Sequence, residues 1–320
     1  MRLSLEQIKE ITAGALWIEE EADGIHFGKC TKKQEAAFLV LNQGLGERSL
    51  TTTGVRLDFH TNSKHLRFFA SSGRKFEVLV NDQLRRQFDC DILRAEGTCA
   101  ELALTDPFGH EMSEVRVTLV FPSHTVGVLE YVELDDGAWV KPHQYDRKIL
   151  FIGDSITQGW NSYYDCFSYA WRVIRFFNAD SINQGIGGAY YHESTFDTID
   201  FEPDTVIVAL GTNDFSKYKT KEEMRLHVAA HLELIAEAYR GRRILVISPI
   251  WRDTEDKEIG SFEDVRRIPM EEAERLGLSH IDGMSLMPPM AEFMADKTLH
   301  PNALGFSLYA ENLIAQMIKF

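Results

Sequence analysis

The chain has 320 residues, 44% hydrophobic and 26% charged, with 22 Gly and 9 Pro. At roughly 100–200 residues per domain this length suits two domains, and the composition excludes disorder as the main state, because enough apolar surface is available to offset the entropy of ordering. A formal charge of −15, from 34 basic and 49 acidic residues, excludes a nucleic-acid partner, which needs clustered Lys and Arg, and disfavours anionic membrane surfaces. No stretch approaches the ~20 apolar residues of a membrane span. Glu6, Lys9 and Glu10 stand where a signal peptide needs its apolar run, so the expected location is cytoplasmic. Cys30, Cys90, Cys99 and Cys166 share no CxxC spacing, which favours free thiols over a disulfide framework or a zinc site.

Leu5, Ile8 and Ile11 fall at helical spacing near the start. From there to about residue 140 the pattern is that of strands. VRLDFHT (55–61) alternates apolar and polar residues, and HLRFFA, FEVLVN and VRVTLVF follow, separated by turn clusters such as Thr61-Asn62-Ser63 and Ser71-Ser72-Gly73. VGVLEYVELDDGAWV (126–140) adds a strand pair and a turn at Asp135-Asp136-Gly137. Short strands at this spacing predict an antiparallel sandwich.

After the polar seam KPHQYDRK (141–148) the pattern changes. KILFIG (148–153), TVIVALG (205–211) and RILVISP (243–249) are near-continuous apolar runs, as in parallel strands buried on both faces. Between them Glu222–Tyr239 carries Met224, Val228, Leu232 and Ile235 at three- and four-residue intervals, and Ser307–Phe320 closes the chain as a second amphipathic stretch. Strand–helix alternation predicts an α/β domain with a parallel sheet. The expected organisation is a β-sandwich over 1–145 and an α/β domain over 146–320.

In open parallel sheets the working groups gather in loops past the carboxyl ends of the strands. Gly153-Asp154-Ser155-Ile156-Thr157 directly follows KILFI and puts Ser155 at a helix start, where free N–H groups favour a developing anion; Ser and Asp there also serve as ordinary caps. Asn183-Gln184-Gly185-Ile186-Gly187-Gly188 permits positive φ and close approach to a ligand, or is a plain tight connection; the Lys-Ser/Thr ending of a P-loop is missing. Gly211-Thr212-Asn213-Asp214 follows TVIVAL, and its Asn can donate to an oxyanion or form a turn with its own backbone. Asp296-Lys297-Thr298-Leu299-His300-Pro301-Asn302 places a histidine in an extended segment ahead of the final helix, where it can act as a general base.

Together GDSIT, NxGxGG, GTND and HPN, in this order, resemble the SGNH (GDSL) hydrolase family from Lys148 to the end of the chain. The resemblance implies a flavodoxin-like parallel-sheet domain. It implies Ser155 as nucleophile, His300 as base, and an oxyanion hole from the N–H groups of Ser155 and Gly188 with the Asn213 side chain. Gly188 is chosen because the family's glycine sits five residues after the loop's Asn. One departure stands out: the family places its triad Asp three residues before the His, where this chain has Lys297. Either Asp296, one residue earlier, reaches the imidazole, or a backbone carbonyl orients it. The strand-rich half, with its ELDDGA strand end, is similar to the jelly-roll-like domain that precedes the SGNH domain in carbohydrate esterase family 2. Such a domain either walls the substrate cleft or only packs.

Tyr190, Trp251 and Arg252 follow the glycine loop or a strand end and are candidate substrate contacts, with Trp160 and Asn161 at the same mouth; aromatic residues there also serve as interior filler. His227 and His231 lie four apart on a helix, but lacking an HExxH glutamate or a third ligand they read as a solvated face; Asp154 and Asp214 read as loop braces. The implied activity is a serine esterase releasing short acyl groups, acetyl foremost, from a small ester such as an acetylated sugar, without metal or organic cofactor. The rivals are a lipase, thioesterase or lysophospholipase acting on longer chains, and a carbohydrate-binding protein that has lost turnover.

Overall fold

The strand-rich and helix-rich parts of the chain fold as separate sets of layers. The computed structural model describes residues 1–319. One compact unit comprises Met1–Lys29, Leu50–Tyr145 and Tyr164–Cys166; the other comprises Cys30–Ser49, Asp146–Tyr163 and Phe167–Phe320.

In the first unit two antiparallel sheets form. One runs Thr12–Ala13, Arg56–Thr61, Val115–Val120, Lys75–Val80, Gln83–Asp89, with Val140–Pro142 also on Arg56–Thr61; the other runs Trp17–Glu21, Gly24–Gly28, Val128–Leu134, His65–Ser72, Ala100–Ala103. Aromatic side chains from the two sheets meet in one core: Phe27 lies 4.7 Å, ring to ring, from Phe121, and Phe68 5.6 Å from Phe76. This is sandwich packing. The helix expected around Leu5 is Leu5–Ile11, capped by Ser4 and Gln7. The alternation in VRLDFHT is misleading in one respect, because Arg56 and Asp58 are buried as well. Asp58 accepts from Arg116 at 2.7 and 2.8 Å and from the Tyr145 hydroxyl at 2.6 Å, so the buried charge is paired.

In the second unit five parallel strands take the order Ala179–Gly185, Arg147–Gly153, Thr205–Ala209, Arg243–Ile247, Ser279–Ile281. With the first strand in sequence placed second, the order reverses beside Arg147–Gly153, the switch point where flavodoxin-like sheets open a crevice. Register fixes what happens there. Gly153 pairs with Gly185 on one side and Ala209 on the other, so three strands end level and their loops leave the sheet side by side.

The long helix is Lys221–Ala238, capped by Thr220, and it buries Met224, Val228, Leu232 and Ile235. The closing helix is Ala303–Lys319; Phe320 lies outside the described residues. Two helices missed in the sequence, Lys32–Leu41 and Gln43–Ser49, come from the first half of the chain but belong to the α/β unit. Among the described residues none of the four cysteines forms a disulfide. Among the described residues no helix is long and apolar enough to cross a membrane.

Candidate active site

Gly153 ends its strand against the next turn: a Cβ there would lie 2.1 Å from the Thr157 hydroxyl, so only glycine fits. Asp154 then caps the short helix Ser155–Gln158, its Oδ1 accepting from the Ile156 N–H at 2.9 Å. Ser155 is thereby held at the first helical position, 6% exposed, with its Oγ 2.9 Å from His300 Nε2.

His300 is presented by a tight excursion of the chain. Met294 and Pro301 bridge across its base, and the Ala295 N–H donates to the His300 carbonyl at 2.8 Å. Within it Lys297 adopts φ +69°, the left-handed region that non-glycine residues seldom occupy. The turn lets the Asp296 carboxylate fold back over the loop. Its Oδ1 accepts from the N–H groups of Thr298 (3.0 Å), Leu299 (2.8 Å) and His300 (3.1 Å), and its Oδ2 lies 2.6 Å from His300 Nδ1. Partial burial pushes the Asp296 pKa up, but the Leu299 N–H, the His300 ring and the other N–H donors outweigh it and hold the carboxyl well below the usual range. The group is therefore an anion facing the imidazole. A hydroxyl, an imidazole and a carboxylate in this order can draw the proton off the hydroxyl.

On the opposite side stand the glycine loop and the Asn213 loop. Gly188 has φ +85°. The residue before it is held on both sides: the Gly187 N–H donates to Gln158 Oε1 at 2.7 Å, and its carbonyl accepts from Arg48 Nη1 at 3.0 Å. Asn213 makes no turn with its own backbone; its Nδ2 donates across to the Ala189 carbonyl at 2.9 Å, which ties the second loop to the third. Asn183 likewise donates from Nδ2 to the Thr157 carbonyl at 3.1 Å. Arg48 and Gln158 were not singled out in the sequence. Arg48 is remote from every motif, and Gln158 looks like any helical residue.

Two buried carboxylates lie beneath these loops, and both act as braces. Burial pushes Asp154 up to about 7, against the Ile156 N–H and the Arg252 charge. Burial likewise raises Asp214 to about 8, against the Tyr191 N–H that its Oδ1 accepts at 3.1 Å. The Asp214 Oδ2 has no hydrogen-bond partner.

The other candidate contacts are placed unevenly. Trp160 is 37% exposed, with its ring 6.3 Å from that of His300, and Asn161 beside it has φ +68°. Trp251 is half-buried, and its segment is joined to the histidine loop by the Asp253 N–H on the Thr298 carbonyl at 2.8 Å. Arg252 donates to the Thr212 carbonyl at 2.9 Å and stacks over Phe215 and Phe262. Tyr190 is 6% exposed, edge-on to Tyr218 and His192 with the Lys217 ammonium over its ring. The solvated face expected for His227 and His231 is corrected: His231 is buried, its Nδ1 3.0 Å from the His192 carbonyl, because its side of the helix is the one packed inward.

Several solved structures share this fold. The salicylyl-acyltransferase SsfX3 from a tetracycline biosynthetic pathway superposes with a TM-score of 0.79 at 20% identity, covering 96% of this chain and 94% of that one. A GDSL-like lipase from Bacteroides ovatus, described as putative, gives 0.71 at 18% identity, with 98% and 97% covered. A family two carbohydrate esterase from Cellvibrio japonicus gives 0.67 at 16%, with 98% and 96% covered. No curated protein matches the chain in sequence. Residues 151–308 match the GDSL-like Lipase/Acylhydrolase family, and together with the carbohydrate esterase among these folds the match supports a carboxylic ester hydrolase.

Proposed function

We propose that the protein releases short acyl groups, acetyl foremost, from a small ester such as an acetylated sugar. The observation that carries this reading is the hydrogen-bonded series Ser155 Oγ–His300–Asp296, at 2.9 and 2.6 Å. In it Ser155 attacks the ester carbonyl and His300 takes the hydroxyl proton, then delivers it to the departing alcohol. Asp296 holds the imidazole tautomer and stabilises the imidazolium. The tetrahedral oxyanion is received by the Ser155 and Gly188 N–H groups and the Asn213 amide. Water, activated by the same histidine, then attacks the acyl-serine and returns the enzyme. These steps need no metal or organic cofactor. The accessory sandwich falls within 1–145 with Tyr164–Cys166 added, and the catalytic domain takes the rest of 146–320 together with the helical segment Cys30–Ser49.

The preference for a short acyl group is supported by the likeness of the fold to an acetyl xylan esterase from Butyrivibrio proteoclasticus. A sugar as the alcohol is supported by the exposed Trp160 ring beside His300, since an aromatic face suits a sugar ring. Trp251, Arg252 and Tyr190 shape the same mouth from behind. Among proteins of this fold, a family two carbohydrate esterase from Clostridium thermocellum was solved in complex with cellohexaose.

The test is a chain-length series of p-nitrophenyl esters, followed by acetyl release from acetylated oligosaccharides. Turnover that falls steeply beyond the shortest acyl chains, with acetate released from the sugar esters, is the expected result. A flat preference reaching long chains would replace this reading with a lipase or lysophospholipase.

A further inference from the structure

Past Gly188 the glycine loop runs into His192 and Glu193, which open the short turn Glu193–Thr195. Facing them is His227, midway along the helix Lys221–Ala238. We propose that His192, Glu193 and His227 form a binding site for a divalent transition-metal ion of the zinc class, which fastens the segment beyond the glycine loop to this helix.

One ligand atom from each of the three residues lies within 4.8 Å of the other two. The His227 Nδ1 is 2.7 Å from Glu193 Oε2, and the rings of His192 and His227 stack with centroids 4.8 Å apart. Zinc bonds to imidazole and carboxylate of about 2.0–2.2 Å bring tetrahedral ligand atoms about 3–3.5 Å apart, so small side-chain rotations close the site. Two imidazoles and one carboxylate form a donor set that suits zinc and its neighbours rather than calcium or magnesium, which prefer all-oxygen shells. The His192 ring is already held in place: Ser194 Oγ lies 2.8 Å from Nδ1, and the Ser194 N–H donates to the same nitrogen at 3.3 Å. All three side chains are half-buried, which leaves an ion a route in and a fourth position for water. The Lys217 ammonium, one of the charges acting on His192, is held over the Tyr190 ring at 4.7 Å. His231, one turn further along the helix, already binds the His192 carbonyl from below, so the backbone that carries the ligands is fixed before any ion arrives.

The test is a Co²⁺ titration of the full chain, followed by its visible ligand-field bands, with Zn²⁺ as competitor. One equivalent of cobalt should saturate the bands, and zinc should displace it. Glu193→Gln and His227→Gln, each checked for a native circular dichroism spectrum, should bind cobalt at least tenfold more weakly, whereas His26→Gln should bind as the wild type does. The His26 control matters because Glu21, Asp23 and His26 form a second, more exposed group of ligand atoms. Absence of saturable binding below the millimolar range would overturn the proposal. So would binding that survives Glu193→Gln and His227→Gln but is lost in His26→Gln.

Discussion

Asp296 stands four residues before His300, and yet its Oδ2 lies 2.6 Å from the ring Nδ1. Lys297 makes this reach possible: its left-handed φ of +69° takes up the extra residue, and the three following N–H groups close on the same carboxylate. The departure at position 297 thus displaces the acidic residue by one position along the chain without removing it from the imidazole.

Asp296→Asn keeps an acceptor for the backbone N–H groups but presents an amide to His300 and so favours the wrong tautomer. In a triad of this kind that change lowers kcat by about 10³–10⁴. Steady-state hydrolysis of p-nitrophenyl acetate should show this loss with KM nearly unchanged. Adding Lys297→Asp to the same variant should not restore turnover, because the ring Nδ1 is met from position 296. Recovery in the double variant would show that the spacing, and not the observed contact, governs the histidine.

In the proposed mechanism Asn213→Ala removes one donor to the oxyanion. The expected cost is about 10²–10³ in kcat with KM within a few-fold. The side chain also ties two loops together through the Ala189 carbonyl, so a thermal melt should accompany the kinetics. A loss of activity in proportion to a loss of folded protein would assign Asn213 to structure alone.

Gly188→Ala forces a Cβ onto a residue at φ +85°. Left-handed backbone costs a non-glycine residue roughly 1–2 kcal/mol, and Gly187, held by Gln158 and Arg48, cannot turn to relieve it. Urea unfolding should show a loss of that size, and the esterase rate should fall more than the stability predicts.

Asp214 supplies a prediction in pH. Burial raises its folded pKa to about 8, against an unfolded value of about 3.9. Between these values the folded state holds the extra proton, so this group's contribution to stability is complete below about pH 4 and is lost as pH rises towards about 8. Asp214→Asn should match the wild type near pH 4 and exceed it at pH 8.5 in urea midpoint. An unchanged difference across that range would mean that the carboxyl is ionised in the fold throughout.

Much of the architecture was legible because its signals are local. KILFIG, TVIVALG and RILVISP are strands that bury both faces, and they appear as strands of the parallel sheet. The motif loops could be placed because strand ends in such sheets are where loops gather. Short or polar elements were harder to see. Ser279–Ile281 has three residues and little apolar content, and Lys32–Leu41 exposes Leu39 and Val40, so its helical period is blurred even though Thr31 and Gln34 form a capping box at its start. At the site, Ser155, His300 and Asn213 announce themselves by motif. The grip of Arg48 and Gln158 on Gly187 depends on tertiary contacts between segments far apart in the chain, and no spacing rule contains it. His231 read as solvated because neither an HExxH glutamate nor a third ligand accompanies His227 and His231 in the sequence, whereas its burial is set by what packs on the helix.

The central claim is that the Ser155 hydroxyl becomes acylated. Rapid-quench mass spectrometry of the protein mixed with p-nitrophenyl acetate tests it most directly. The expected result is a transient gain of one acetyl group on the peptide carrying Ser155, formed in step with a burst of nitrophenol and absent in Ser155→Ala. Turnover at the wild-type rate by Ser155→Ala, or acetyl found on another residue with Ser155 unmodified, would contradict the account.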